Sequence, residues 1–82
     1  MYAQITIKLK NGVLDPQAKA IHNAISSLGF NDVNDVIMQK QILLQFTDNN
    51  AQHALQQATN IAKDLLSNPV IEDYEIALIS KD

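Results

Sequence analysis

Residues 2–10, YAQITIKLK, alternate without a break. Ala3, Ile5, Ile7 and Leu9 fall on one side and Tyr2, Gln4, Thr6, Lys8 and Lys10 on the other. A period of two sustained over this length is a half-buried strand. The period then changes within a few residues. Asp15 followed by Pro16 is a helix start, with the carboxylate as N-cap and the proline at the first helical position. Ala18, Ile21, Ile25 and Leu28 then recur at spacings of three and four, and Gly29 stands where a left-handed residue ends a helix at least cost. Asn11 and Gly12 would suit a hairpin, but no second strand follows them, so they read as a strand-to-helix loop.

The same switch recurs further along. DVNDVIMQKQILLQFT predicts two strands joined by a tight turn near Gln39, Lys40 and Gln41, with Val36 and Met38 inward on the first and Ile42, Leu44 and Phe46 inward on the second. The turn lacks Asn-Gly or Gly-X chemistry. DNNAQHALQQATNIAKDLLSNP predicts a second helix, capped by Asp48, Asn49 or Asn50. Its apolar stripe is Ala51, Ala54, Leu55, Ala58, Ile61, Ala62 and Leu65. Pro69 stops it, and Asn68 before the proline is pushed towards extended geometry. IEDYEIALI is a last strand, with Tyr74, Ile76 and Leu78 on one face and Glu75, Ala77 and Ile79 on the other. The expected architecture is α+β with a βαββαβ ferredoxin-like layout, a four-stranded antiparallel sheet and both helices on one face. The open sheet face would carry Ile37, Leu43, Ala77 and Ile79 among polar groups, a patch a monomer rarely leaves wet.

The 82 residues read as one domain, 1–82. A domain this small buries only about 60–65% of its unfolded surface, which favours oligomerisation over a deep private active site. Net charge is −3, and all six basic residues are Lys. Without arginine or a basic stripe, nucleic-acid binding is not expected. There is no cysteine, so no disulfide, thiolate metal site or cysteine nucleophile is available. No apolar run approaches a membrane span, and the N-terminus alternates instead of forming a signal-type block; the reading is cytoplasmic.

The candidate chemistries are thin. His22 and His53 each lie within a predicted helix with no second histidine three or four residues away, so they read as boundary or surface residues and not as metal ligands. Glu72, Asp73 and Glu75 form an acidic cluster. Alternation splits it between two faces, which fits a solvated or partner-facing rim better than a cation site. Asp15 and Asp48 at the helix starts would repel a phosphate, leaving capping as their role. Ser26, Ser27, Ser67 and Ser80 have no nucleophile elbow, and no glycine-rich phosphate loop exists. No catalytic, cofactor-binding or metal-binding residue is expected on this chain.

Three stretches carry a more specific signal. LKNGVLDPQAKAIHNAISSLGF (9–30), the VNDV…K.I.L.F region (33–46) and LLSNPVIEDYEI (65–76) strongly resemble the PurS family, the small subunit of the multi-subunit phosphoribosylformylglycinamidine (FGAM) synthase. The resemblance covers nearly the whole chain, in order and with matching spacing. It implies a βαββαβ layout, a homodimer or homotetramer, and a non-catalytic role. PurS-like chains hold a glutaminase subunit against an ATP-dependent synthetase subunit, so that ammonia from glutamine converts formylglycinamide ribonucleotide to the formylglycinamidine. The complex would use ATP and Mg; this chain would bind neither. The family's DPQ is usually followed by Gly, here by Ala18. Its V-R-x-G-K reads Val36, Ile37, Met38, Gln39 and Lys40, so only Lys40 of the polar pair carries over. The expected partner or oligomer surface comprises Asp15, Pro16 and Gln17; Lys40 and Leu43; and Asn68, Pro69, Glu72, Asp73 and Tyr74. Val70 and Ile71 would close the edge of the core.

Two rival readings share the layout. An ACT-like small-metabolite sensor would place a glycine-rich turn after the first strand, and Asn11 with Gly12 matches this weakly. An acylphosphatase-type enzyme would need a phosphate-binding arginine, and the chain has none.

Overall fold

Ala3, Ile5 and Ile7 are sealed from solvent, which requires the first strand to be covered on both flanks. The computed structural model, which describes residues 1–47 and 49–80, places β1 (Tyr2–Leu9) in the middle of an antiparallel sheet of order β2-β1-β3. β2 is Gln39–Gln45 and β3 is Glu72–Ile79. Ile5 stands opposite Ile42 on one side and Ile76 on the other, and Ile7 opposite Lys40 and Tyr74. The alternation read from the sequence is therefore the register of the sheet. Burying Ile5 and Ile7 contributes about 1.5–3 kcal/mol each.

One face is covered by α2 (Ala51–Ile61), which runs on into a π-helical turn, Ala62–Leu66. Ala54, Ala58 and Ala62, four residues apart, are fully buried, and the latter two pack with Ala3, Ile5 and Ile7. Alanines let the helix backbone approach the sheet closely. The buried stripe is narrower than the sequence suggested: Ile61 is half-buried, while Ala51, Leu55 and Leu65 are exposed. Asn50 is the cap, its side-chain oxygen accepting from the His53 N–H at 3.1 Å. The alternative cap, Asp48, lies outside the described residues.

α1 (Pro16–Ser27) is built as its sequence dictates. Asp15 Oδ1 accepts from the Gln17 and Ala18 N–H groups at 3.0 and 3.1 Å. At the other end Gly29, at φ +93°, closes a Schellman turn, with the Phe30 N–H donating to Ile25 O at 3.2 Å and the Gly29 N–H to Ser26 O at 3.0 Å. Its place differs from expectation. α2 packs on the sheet and α1 makes little contact with it. Of its residues only Ala18 is buried, whereas Leu28 is 75% exposed.

The sheet has three strands, not four. Gln39, Lys40 and Gln41, expected to turn, instead begin β2 opposite Lys8, Ile7 and Thr6. They lack the positive-φ chemistry of a two-residue reversal, so the extended chain runs straight through. Residues 33–37 then run past the end of β1, which stops at Leu9, and no strand among the described residues pairs with them. Val36 and Met38 are half-buried as read, but residues 31–38 make no backbone–backbone hydrogen bond among the described residues. Val70, expected to close the core, is 79% exposed, and Ile71 is at the margin of exposure. The Cα radius of gyration, 16.4 Å, exceeds the ~12 Å expected of a compact chain of this length.

Candidate functional site

Asn68 organises the turn that leads into β3. Its side-chain oxygen accepts from the Val70 N–H at 3.1 Å, and its carbonyl accepts from the Ile71 and Glu72 N–H groups at 3.1 and 2.7 Å. Pro69 occupies the second turn position, where its fixed φ fits. Glu72 returns the contact: its Oε1 accepts from the Asn68 N–H at 2.7 Å. The turn is also tied to β1, the Lys10 N–H donating to Ile71 O at 2.8 Å. SNPVIEDY is therefore a structural clip that starts the last strand in register.

The clip gathers charge at one end of the sheet. Glu72 Oε2 lies 3.7 Å from Lys40 Nζ, with the Glu72 side chain largely covered. Asp73 Oδ1 lies 3.8 Å from Lys10 Nζ, and both side chains are solvated, so that pair contributes under about 1 kcal/mol. Strand alternation sends Glu72 to the α2 side of the sheet. Asp73 and Glu75 point to the open side, where they border a 250 Å³ hollow with Thr6, Lys8, Gln39 and Tyr74. Tyr74 is half-buried against the core cluster.

Beside this end a cleft of about 480 Å³ separates α1 from residues 35–38. Lys8, Lys10, Lys19 and His22 line it together with Asp15 and Asp35; Leu9, Leu14, Val36 and Met38 give it apolar walls. His22 Nε2 reaches the Val33 carbonyl at 2.8 Å. His53 lies on α2, its Nε2 3.1 Å from Gln57 Nε2. Among the described residues no group of three or more His, Cys, Asp or Glu is placed to hold a metal ion, and no helix is long and apolar enough to cross a membrane.

The residues singled out from sequence thus fall into three groups. Lys40, Asn68, Pro69, Glu72, Asp73 and Tyr74 come together at the clip. Asp15, Pro16 and Gln17 form the start of α1 at the mouth of the neighbouring cleft. Leu43 stands apart, 55% exposed on the open sheet face opposite Gln4. Sequence reading missed Lys10, which joins β1 to the clip through both its N–H and its ammonium. It sits at the end of an alternating strand, and nothing local marks it.

Comparison with known proteins is consistent along the chain. The family model described as PurS, phosphoribosylformylglycinamidine (FGAM) synthase, matches residues 2–80. The phosphoribosylformylglycinamidine synthase subunit PurS of Methanocaldococcus jannaschii is 42% identical over 74 residues, covering 90% of this chain and 89% of that one. The corresponding subunit of Mycobacterium leprae is 36% identical over 74 residues, covering 90% of each. The crystal structure of M. jannaschii PurS, one of the subunits of formylglycinamide ribonucleotide amidotransferase in the purine biosynthetic pathway, superposes with a TM-score of 0.90 at 40% identity over 100% of both chains.

Proposed function

The chain belongs to the PurS family, and from that premise we propose that it serves in purine biosynthesis as the small subunit of phosphoribosylformylglycinamidine synthase, bridging the subunits that do the chemistry. The observation that carries this reading is the family match, which runs from residue 2 to residue 80. The partners are a glutaminase subunit, which releases ammonia, and an ATP-dependent synthetase subunit, where that nitrogen replaces the amide oxygen of formylglycinamide ribonucleotide. ATP and Mg act on the synthetase, and this chain supplies no catalytic, cofactor or metal group. The complex works in the cytoplasm, with this chain present as a homodimer or homotetramer. The clip around Asn68 and Glu72 and the start of α1 at Asp15, Pro16 and Gln17 are the surfaces offered to partners. Both present rigid, hydrogen-bonded backbone, which lowers the ordering cost of docking.

The metabolite-sensing reading is not adopted, because a family match over the whole chain accounts for the same layout. The test is reconstitution of the glutaminase and synthetase with substrate, ATP, magnesium and glutamine, with and without this chain, reading product from glutamine and from free ammonia in parallel. The expected result is that the glutamine-dependent rate requires the chain and the ammonia-dependent rate does not. Unchanged rates in both arms would remove the bridging role.

A further inference from the structure

Asn11 and Gly12 form the tip of the turn between β1 and α1. The Val13 N–H donates to Lys10 O at 3.1 Å, which closes the turn, and Gly12 at φ +88° takes the position that needs a left-handed residue. Both residues are exposed. Among the described residues, nothing hydrogen-bonds to the Asn11 side chain or to the Gly12 N–H. Nothing stands within 4 Å of the place a Gly12 Cβ would take, so the Gly12 nitrogen is open to approach.

We propose that Asn11 is a spontaneous modification site, where the Gly12 backbone nitrogen turns the side-chain amide into isoaspartate. The nitrogen gives its proton to solvent and attacks Asn11 Cγ. Nδ2 leaves as ammonia, and a five-membered succinimide forms. Water then opens the ring at either carbonyl, giving aspartate or, with the chain rerouted through Cγ, isoaspartate. Water is the only co-reactant. The other asparagines are shut out by their surroundings. Asn23 and Asn60 lie inside helices, where the backbone is fixed by the ladder. Asn68 precedes Pro69, whose nitrogen carries no hydrogen. Asn50 is engaged as the cap of α2. Asn31, Asn34 and Asn49 precede Asp32, Asp35 and Asn50, whose side chains crowd a nitrogen that glycine leaves bare.

The turn also joins the two surfaces offered to partners. Lys10, at its near end, is tied to the clip through Ile71 O at 2.8 Å, and Asp15 beyond its far end begins α1. Isoaspartate adds a methylene to the backbone and a negative charge between them. On the bridging reading above, the modified chain no longer sets both surfaces in place and the subunit ages out of service.

The test keeps the full-length chain in warm, mildly alkaline buffer and digests samples with trypsin at intervals, the fresh protein serving as baseline. The peptide carrying residue 11 should gain one mass unit and split into aspartyl and isoaspartyl peaks, while peptides carrying the other asparagines stay unchanged. Asn11→Gln, whose longer side chain must close a slower six-membered ring, should keep its mass over the same period. Reconstitution with the glutaminase and synthetase then reads the effect. The aged unmodified chain should support a several-fold lower glutamine-dependent rate than the fresh chain, and aged Asn11→Gln should retain the rate of its own fresh sample. No mass gain at residue 11, or one no faster than in the other peptides, overturns the modification site. A mass gain with undiminished rate overturns its effect on bridging. A fresh chain that stimulates nothing removes the bridging reading, and the mass data alone then decide the site.

Discussion

At the scale of single residues, stability concentrates in two small polar devices. Asp15 supplies acceptor oxygen to two N–H groups of α1. Asp15→Ala should therefore cost about 1 kcal/mol in urea unfolding, as N-cap removals do. Asn68 and Glu72 hold each other through reciprocal bonds. Glu72→Ala removes the acceptor of the Asn68 N–H and the partner of Lys40, so about 1–2 kcal/mol should be lost. Glu72→Gln keeps the acceptor and loses only the charge, so its cost should be well under that. If the two substitutions proved equally destabilising, the ion pair and not the turn bond would be the stabilising element. Asp15 was legible because a cap acts on its nearest neighbours. The Asn68–Glu72 pair was only half legible: the Asn-Pro signal marked a turn, but which carboxylate of the cluster would return to it depends on the direction β3 takes.

At the scale of elements, β1, α1, α2 and β3 followed from periodicity, because each has a face that burial or capping fixes. The error in assigning elements fell on residues 33–41, while α1 was assigned correctly and its packing on the sheet was not. An alternating run with no glycine can be two strands with a turn or one strand with an overhang, and side-chain pattern is the same in both. What separates them is whether a partner strand extends that far, and β1 stops at Leu9. The narrowness of the α2 stripe has a similar origin. Alanine and leucine at helical spacing both read as apolar, yet the sheet accepts only the alanines that let α2 lie close. Ala58→Leu should accordingly destabilise by about 1–3 kcal/mol through overpacking against a fully closed site. Leu55→Ala on the same helix, where the side chain is already exposed, should change stability by less than about 0.5 kcal/mol. Equal effects at the two positions would mean that α2 rides looser on the sheet than its buried alanines imply.

At the scale of the whole molecule, the outline decides how stability must behave. A chain with a radius of gyration of 16.4 Å leaves α1 and the overhang without the packing that makes most helices stable. α1 has sound caps at both ends, but a helix of 12 residues is marginal on its own in water. Its order must come from what covers it, and in the homo-oligomer proposed above a second copy supplies that cover. Folding and association are then linked, and the unfolding midpoint should depend on protein concentration. For a dimer that unfolds to two chains, each tenfold rise in concentration adds about 1.4 kcal/mol to the free energy of dissociative unfolding. The thermal midpoint should climb by roughly 3–5 °C per tenfold for a pair of this combined size. Hydrogen exchange should show α1 losing protection before the amides of β1. A midpoint independent of concentration, with α1 as protected as β1, would mean that the single chain orders its own open helix, and the homo-oligomeric reading would lose its physical ground.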